Sequence, residues 1–167
     1  MGRLTATGAG AGGTAPNFVF PAIDGGAYRT SDWRGKPVLV VNSASMCGFT
    51  PQYAEMQELQ DHLGDKGVVL AVPSDDFSQE YGTDAEVKQF CALNYDLTLP
   101  MTTIQHVARG GLHPFYAWLK DTRGFVPGWN FNKVLLAGDG SFVQGWGSMT
   151  GPMSDEIRGR MEAMIAA

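Results

Sequence analysis

A continuous apolar run at residues 38–41, Val-Leu-Val-Val, constrains the fold more than any other feature of the chain. Four aliphatic residues without polar alternation are typical of a strand that is buried on both faces. A second such run, residues 68–72, follows after a segment with helical periodicity. Two buried strands joined by a helix predict a βαβ unit with parallel strands, and therefore an α/β fold class.

The segment between the two runs predicts a helix over residues 51–64. Its apolar side chains recur at steps of three and four residues, and Gly64 is a typical residue for ending a helix. Thr50 is a residue type that caps helices, and Pro51 suits the first helical position. We therefore expect Thr50 to be the N-cap of this helix.

Cys47 lies between the end of the first strand and the first turn of this helix. Backbone N–H groups at a helix start are unpaired, and the helix dipole there favours negative charge. A thiol in this place is stabilised as the thiolate and becomes a nucleophile. The alternative is a small buried cysteine, which is a common role of the residue. The position favours the reactive thiol.

The remaining elements follow from turn signals and periodicity. A hairpin is predicted around Asp24-Gly25-Gly26, and Thr83 with Glu86 forms a capping box for a helix that runs to about Tyr95. The other predicted elements are a short helix over residues 113–120, a hairpin of residues 133–136 and 141–143, and a terminal helix over residues 154–167. This order is that of the thioredoxin-like fold, with a central mixed sheet flanked by helices and an added N-terminal β-hairpin.

The length of 167 residues fits one domain. We expect a flexible tail over residues 1–15 and a single thioredoxin-like domain over residues 16–167. The first residues lack the apolar stretch of a signal peptide, so we expect a cytoplasmic location, with a periplasmic one as the alternative if a leader has been removed. No apolar run approaches the ~18 residues that a membrane span needs.

Composition argues against several classes of partner and cofactor. The net charge is −5 and the basic residues form no run, so a nucleic-acid partner is not expected. The two cysteines are far apart and the three histidines are scattered, so the chain shows neither a disulfide scaffold nor a set of metal ligands.

The residues after Cys47 narrow its chemistry. A thioredoxin-type dithiol needs a second cysteine three residues on, where this chain has Thr50. Exchange through a C-x-x-C pair is therefore excluded. A single thiolate suits attack on a peroxide, which leaves a sulfenic acid on Cys47. Hydrogen-bond donors must then stabilise the thiolate and the leaving oxygen.

Four ordered blocks of sequence carry a resemblance to a known family. They are Asn-Ser-Ala-Ser-Met-Cys-Gly-Phe-Thr-Pro-Gln-Tyr at 42–53, Val-Pro-Ser-Asp-Asp-Phe at 72–77, His-Pro-Phe-Tyr at 113–116 and Trp-Asn-Phe-Asn-Lys at 129–133. Together they resemble the motifs of the glutathione peroxidase family, from about Asn17 to the terminal helix.

The resemblance implies a catalytic tetrad of cysteine, glutamine, tryptophan and asparagine. Cys47, Trp129 and Asn130 match it, although a core tryptophan and a turn asparagine are the structural alternatives. The family's Asn-Gln pair is Asp75-Asp76 here. A carboxylate would repel a thiolate, so we expect Gln79 to supply the fourth donor, with Asp76 as the competing residue.

Cys91 has two possible roles. In family members that use thioredoxin, a resolving cysteine lies in the corresponding helix, but Cys91 also falls on the apolar face of its predicted helix. The reductant would be thioredoxin if Cys91 resolves and glutathione if it does not. The segment from Lys120 to Gly128 is short, and the family's tetramers carry an extra loop there, so the resemblance implies a monomer.

These observations predict a thiol-dependent peroxidase that reduces hydrogen peroxide and organic hydroperoxides through Cys47, without a metal or organic cofactor. The alternative is a non-catalytic peroxide sensor that passes its oxidation to a partner protein. A third hypothesis is an inactive binding module in which Cys47 does not react.

Overall fold

The computed structural model describes residues 15–167, so all but the last residue of the predicted tail lies outside the described residues. The strands are β1 (Val19–Pro21), β2 (Ala27–Arg29), β3 (Val38–Ser43), β4 (Val68–Pro73), β5 (Lys133–Leu136) and β6 (Phe142–Trp146). The α-helices are α1 (Gln52–Leu63), α2 (Asp84–Tyr95), α3 (Pro114–Arg123) and α4 (Arg160–Ala166).

Four of the strands form one mixed sheet in the order β4-β3-β5-β6. Strands β3 and β4 are parallel, with Val38 opposite Val68, whereas β5 is antiparallel to both β3 and β6. Strands β1 and β2 pair separately as an antiparallel hairpin. The predicted α/β fold with a mixed sheet and an N-terminal hairpin is confirmed.

Alternate residues of β3 point to opposite faces of the sheet and enter two separate cores. Leu39 and Val41 pack on the face covered by α1, α2 and α4, whereas Val38 and Val40 pack on the face covered by α3 and the hairpin. Every residue of β3 and of β4 is buried, which explains the absence of polar alternation in their sequences.

The helix starts differ from the predictions in two places. Helix α1 begins at Gln52, and Thr50 makes no side-chain capping bond to it, because its hydroxyl is engaged with residues before the helix. The terminal helix opens with a π-helical turn, Asp155–Gly159, before α4; Gly159, a weak helix former, lies at the junction.

The predictions for the other two helices hold. The Thr83 side chain accepts the N–H of Glu86 and caps α2. Helix α3 follows His113, whose ring accepts the N–H of Phe115, and extends to Arg123. Within residues 15–167, no helix is long and apolar enough to cross a membrane.

Candidate active site

Cys47 lies in a series of tight turns that connect β3 to α1. Its N–H donates to the Thr50 hydroxyl at 2.8 Å, and that hydroxyl donates to the carbonyl of Ala44 at 2.9 Å. The N–H of Thr50 also donates to the carbonyl of Cys47 at 3.0 Å. The sequence predicted that Thr50 would cap the helix, and this prediction is wrong. The Thr50 side chain instead connects the cysteine to the end of the strand.

The sulfur of Cys47 accepts a hydrogen bond from the N–H of Phe49 at 3.3 Å. Within residues 15–167 it is the only hydrogen bond recorded to this sulfur. The residue is buried, with 8% of its surface exposed. A backbone N–H from the turn before α1 thus points directly at the sulfur.

The loop after β4 brings Gln79 to the Cys47 turn, and Asn130, which precedes β5, contacts Gln79 there. The carbonyl of Gln79 accepts the N–H of Met46 at 2.9 Å, and its side-chain oxygen accepts the amide of Asn130 at 3.2 Å. Just before Gln79, Ser78 has a φ of 59°, a left-handed conformation that few residues other than glycine adopt. This sharp turn directs Gln79 towards the residue that precedes the cysteine.

Asp76, which competes with Gln79 for the fourth position of the predicted tetrad, faces a different segment of the chain. One carboxylate oxygen accepts the N–H groups of Val107, Ala108 and Arg109 at 2.7, 2.9 and 3.3 Å, and the other lies 2.7 Å from Nδ1 of His106. Burial alone would raise the pKa of Asp76, but these donors outweigh it and the pKa lies below its ordinary value. The carboxylate is thus fully engaged with residues 106–109.

Trp129 and Asn130 lie at the start of the hairpin segment that contains β5. Trp129 is half-buried, and its ring packs against Phe77 with 5.4 Å between ring centroids. Asn130 is buried, and its side-chain oxygen has no partner within residues 15–167. Neither side chain donates to the sulfur of Cys47 in the described part of the chain, although Asn130 reaches the same turn through Gln79.

Cys91 lies on α2 and is not part of this cluster. It is 3% exposed and packs in the core with Tyr53 and Val87. Burial raises the pKa of its thiol to about 12, a hydrogen bond with Tyr53 opposes the rise, and the nearby Glu80 carboxylate adds to it. In this conformation Cys91 is protonated and enclosed.

Two buried charged residues near the site were missed by the sequence reasoning. Lys133 is fully buried, and its ammonium donates to the side chain of Gln52 at 2.7 Å and to the carbonyl of Ser148 at 3.1 Å. Glu80 is 6% exposed and accepts the N–H of Ser45 at 3.1 Å. The sequence could have indicated the burial of Lys133, because this lysine begins a strand that was predicted to lie in the sheet. Glu80 lies in a polar loop, and nothing in the sequence there indicates that it is buried.

Within residues 15–167, no group of three or more potential ligands could hold a metal ion. The groups that this site offers for chemistry are the sulfur of Cys47 and its hydrogen-bonding neighbours. A thioredoxin-like fold with one cysteine at the strand-to-helix turn, and no second cysteine beside it, defines the class of single-thiol redox proteins.

The comparison with known proteins narrows this class to one family. The family model described as "Glutathione peroxidase" matches residues 17–120, which is more than half of the chain. The chain belongs to the glutathione peroxidase family and is a thiol-dependent peroxidase, an oxidoreductase that uses a hydroperoxide as oxidant and a thiol as reductant. The predicted family and activity are thus confirmed.

Individual relatives agree with this assignment. The chain is 39% identical over 137 residues to glutathione peroxidase-like peroxiredoxin 2 of Saccharomyces cerevisiae, with 78% of this chain and 85% of the relative covered. It is 36% identical over 167 residues to hydroperoxy fatty acid reductase gpx1 of Synechocystis, with 93% and 98% covered. The crystal structure of Trgpx in its apo form superposes with a TM-score of 0.68 at 31% identity, covering 90% of this chain and 94% of that one.

Proposed function

We propose that Cys47 is the peroxidatic residue and that Gln79, Trp129 and Asn130 assist it. The thiolate attacks one oxygen of a hydroperoxide, a sulfur–oxygen bond forms and the oxygen–oxygen bond breaks. The second oxygen leaves as alkoxide or hydroxide and takes up the proton that the thiol gave up. The sulfur is oxidised to sulfenic acid, and the peroxide is reduced to an alcohol or water. The Phe49 N–H bond to the sulfur is the observation that carries this assignment.

The three assisting side chains act on the peroxide in this proposal, because none of them donates to the sulfur within residues 15–167. The indole N–H of Trp129 and the amide groups of Gln79 and Asn130 are suitable donors to an oxygen that gains negative charge. Such hydrogen bonds often tighten only when substrate is bound. The Gln79–Asn130 bond and the Gln79–Met46 bond support a common location beside the cysteine.

Organic hydroperoxides are substrates in addition to hydrogen peroxide in this proposal. Met46, next to the cysteine, is 51% exposed, and Met149, next to a residue that contacts Asn130, is 85% exposed. Phe49 and Trp129 add partly exposed aromatic surface. An apolar surface of this kind suits a hydroperoxide with a hydrocarbon body. The Synechocystis relative, named as a hydroperoxy fatty acid reductase, supports the same substrate class.

For the reductant, we favour a dithiol protein such as thioredoxin, acting on a disulfide between Cys47 and Cys91. The Cys91 thiol attacks the sulfenic acid, a sulfur–sulfur bond forms and water leaves. The dithiol protein then reduces this disulfide and is itself oxidised. Because Cys91 is enclosed, α2 must unwind locally first. Opening must release the buried Val87 and Cys91 and the partly buried rings of Phe90 and Tyr95, which also pack on the core.

The test is peroxide consumption measured in parallel with a thioredoxin system and with glutathione, for the wild type and for Cys91→Ser. We expect thioredoxin to support turnover in the wild type only. Mass spectrometry of the oxidised wild type should show a Cys47–Cys91 disulfide. Equal turnover of both proteins with glutathione, together with a stable sulfenic acid on Cys47, would leave Cys91 as a packing residue.

The assembly state in this proposal is a monomer. Helix α3 ends at Arg123, and Gly124 closes it, so only a short connection leads to Trp129. It offers little surface for subunit contacts. Light scattering coupled to size-exclusion chromatography tests the proposal, and a mass of several chains would contradict it.

A further inference from the structure

Glu80 is a buried carboxyl that the proposed mechanism does not use. It follows Gln79 in the loop after β4 and is 6% exposed. One carboxyl oxygen accepts the N–H of Ser45 at 3.1 Å and the N–H of Tyr81 at 2.9 Å. Ser45 precedes Cys47 by two residues, so Glu80 is bonded directly to the turn that carries the thiol.

The second carboxyl oxygen of Glu80 is buried without a partner within residues 15–167, and so is the hydroxyl of Ser45. The two groups lie close enough for the serine hydroxyl to lower the pKa of Glu80, although neither atom is oriented for a full hydrogen bond. A buried polar atom without a partner is unfavourable, so a small rotation that pairs them is favoured. Glu80 would then bind Ser45 at both its N–H and its hydroxyl.

A second hydrogen bond lies next to the one between Glu80 and the Ser45 N–H. The carbonyl of Gln79 accepts the N–H of Met46, so residues 79 and 80 bind residues 45 and 46 at adjacent positions. These bonds hold residues 45 and 46 of the turn, whereas Thr50 binds the N–H of the next residue, Cys47. A displacement of about 1 Å in a reacting group can lower a rate by about a hundredfold.

Charge is the less favourable explanation for Glu80. Burial raises its pKa, and the negative charge of Asp75 acts in the same direction. An ionised carboxylate near the cysteine would also disfavour the thiolate. What the side chain offers is its length and an oxygen in the right place to accept the Ser45 N–H.

We propose that Glu80 is a positioning residue for peroxide reduction, which holds the Cys47 turn through Ser45 by the length and hydrogen bonding of its side chain rather than by its charge. This inference rests on the proposed role of Cys47.

Two variants separate length from charge. Glu80→Gln keeps the length and the accepting oxygen, removes the charge and adds an N–H₂ group that can donate to the Ser45 hydroxyl. Glu80→Asp keeps the charge but is one methylene too short to reach the Ser45 N–H. Glu58→Gln, on an exposed position of α1, is the matched control for the loss of a carboxylate. The readout is the second-order rate constant for Cys47 oxidation by hydrogen peroxide, at a temperature at which circular dichroism shows every variant folded.

We expect Glu80→Gln and Glu58→Gln to react close to the wild-type rate, and Glu80→Asp to react at least about tenfold more slowly. A wild-type rate in Glu80→Asp, or an equal loss in Glu80→Gln, would overturn the proposal. If Glu80→Asp failed to fold, the folded Glu80→Gln variant would decide. A lower rate in Glu80→Gln would overturn the proposal, and a wild-type rate would support it. A wild type in which Cys47 is not oxidised would instead refute the proposed function.

Discussion

In the proposed mechanism the reactivity of Cys47 depends on its immediate backbone, since the Phe49 N–H donates to its sulfur and the Thr50 hydroxyl accepts its N–H. Cys47→Ser changes one atom and keeps these contacts. We expect this variant to lose peroxide reduction completely and to unfold at nearly the wild-type temperature, because a hydroxyl at neutral pH is a far weaker nucleophile. Peroxide consumption and thermal unfolding measure the two effects. Appreciable remaining turnover would mean that another residue is the nucleophile.

Trp129 combines a packing role with the proposed donor role, and one substitution separates them. Trp129→Phe keeps an aromatic ring against Phe77 but removes the indole N–H. We expect oxidation of Cys47 by hydrogen peroxide to slow by about tenfold or more, the lower range for loss of one preorganised donor. Stopped-flow kinetics give the second-order rate constant. If that constant did not change, Trp129 would be a packing residue alone.

Gln79 and Asp76 are expected to respond in opposite ways. Gln79→Ala removes the amide bonded to Asn130, so we expect slower Cys47 oxidation and little loss of stability. Asp76→Asn keeps an accepting oxygen but removes the negative charge that strengthens the bonds from the Val107 and Ala108 N–H groups, so we expect a loss of stability of about 1–3 kcal/mol with little change in the oxidation rate. Stopped-flow kinetics and urea unfolding are the two measurements. A silent Gln79→Ala with a strong rate effect in Asp76→Asn would assign the fourth catalytic place to the carboxylate.

The pH dependence of the Asp76 contribution has a definite sign. Its pKa is lowered in the folded protein, so its stabilising contribution is fully present above the ordinary pKa of an aspartate. It is lost as the pH falls through the lowered folded-state pKa. The stability difference between the wild type and Asp76→Asn should therefore shrink in acid, as urea unfolding at a series of pH values can measure.

For single residues, the sequence predicts those positions that depend on residues nearby in the chain. The placement of Cys47 follows from a strand, small residues and a helix start within one short segment. The orientation of Asp76 could not be predicted in detail, because its partners lie about 30 residues further along the chain. Glu80 was missed for the same reason, since its partner Ser45 is 35 residues away.

Among the elements, the strands β3 and β4 were predicted well because burial on both faces leaves a strong apolar signal. The starts of the helices were predicted less well. Thr50 fits a helix cap in sequence, yet its hydroxyl binds Cys47 and Ala44 instead, and the choice depends on how the turn folds. The π-helical turn before α4 has no distinct sequence pattern.

Helix α2 is the element that must move if Cys91 resolves the sulfenic acid. We expect a disulfide-linked enzyme to show faster backbone hydrogen exchange over residues 84–95 than the reduced enzyme, because the helix cannot keep its packing while Cys91 reaches Cys47. Exchange measured by mass spectrometry on peroxide-treated protein tests this, with Cys91→Ser treated in the same way as the control. Unchanged exchange in the oxidised wild type would contradict the opening of α2.

In the whole molecule, Lys133 joins parts of the chain that the sequence alone does not place together. It lies opposite Val41 in the central pair of strands, and its ammonium binds Gln52 at the start of α1 and Ser148 after β6. The parallel pairing of β3 with β4 was predictable from the connecting helix. The position of β5 beside β3 brings these groups together, and it depends on the complete sheet order.

Burial lowers the pKa of Lys133 to about 8, and the nearby Glu55 carboxylate opposes this shift. A lysine with a lowered folded-state pKa costs stability where it is charged in both states, and the cost disappears as the pH rises above its unfolded-state value. The free energy of unfolding should therefore rise between about pH 8 and the ordinary lysine pKa, by up to about 1.4 kcal/mol per pH unit.

Lys133→Met keeps most of the apolar volume and removes the titrating group, so the free energy of unfolding of this variant should lack the rise. Urea unfolding of both proteins from pH 7 upwards isolates the contribution as their difference, since the other titrating groups are shared. Parallel stability curves would mean that the ammonium is not desolvated as its surroundings indicate.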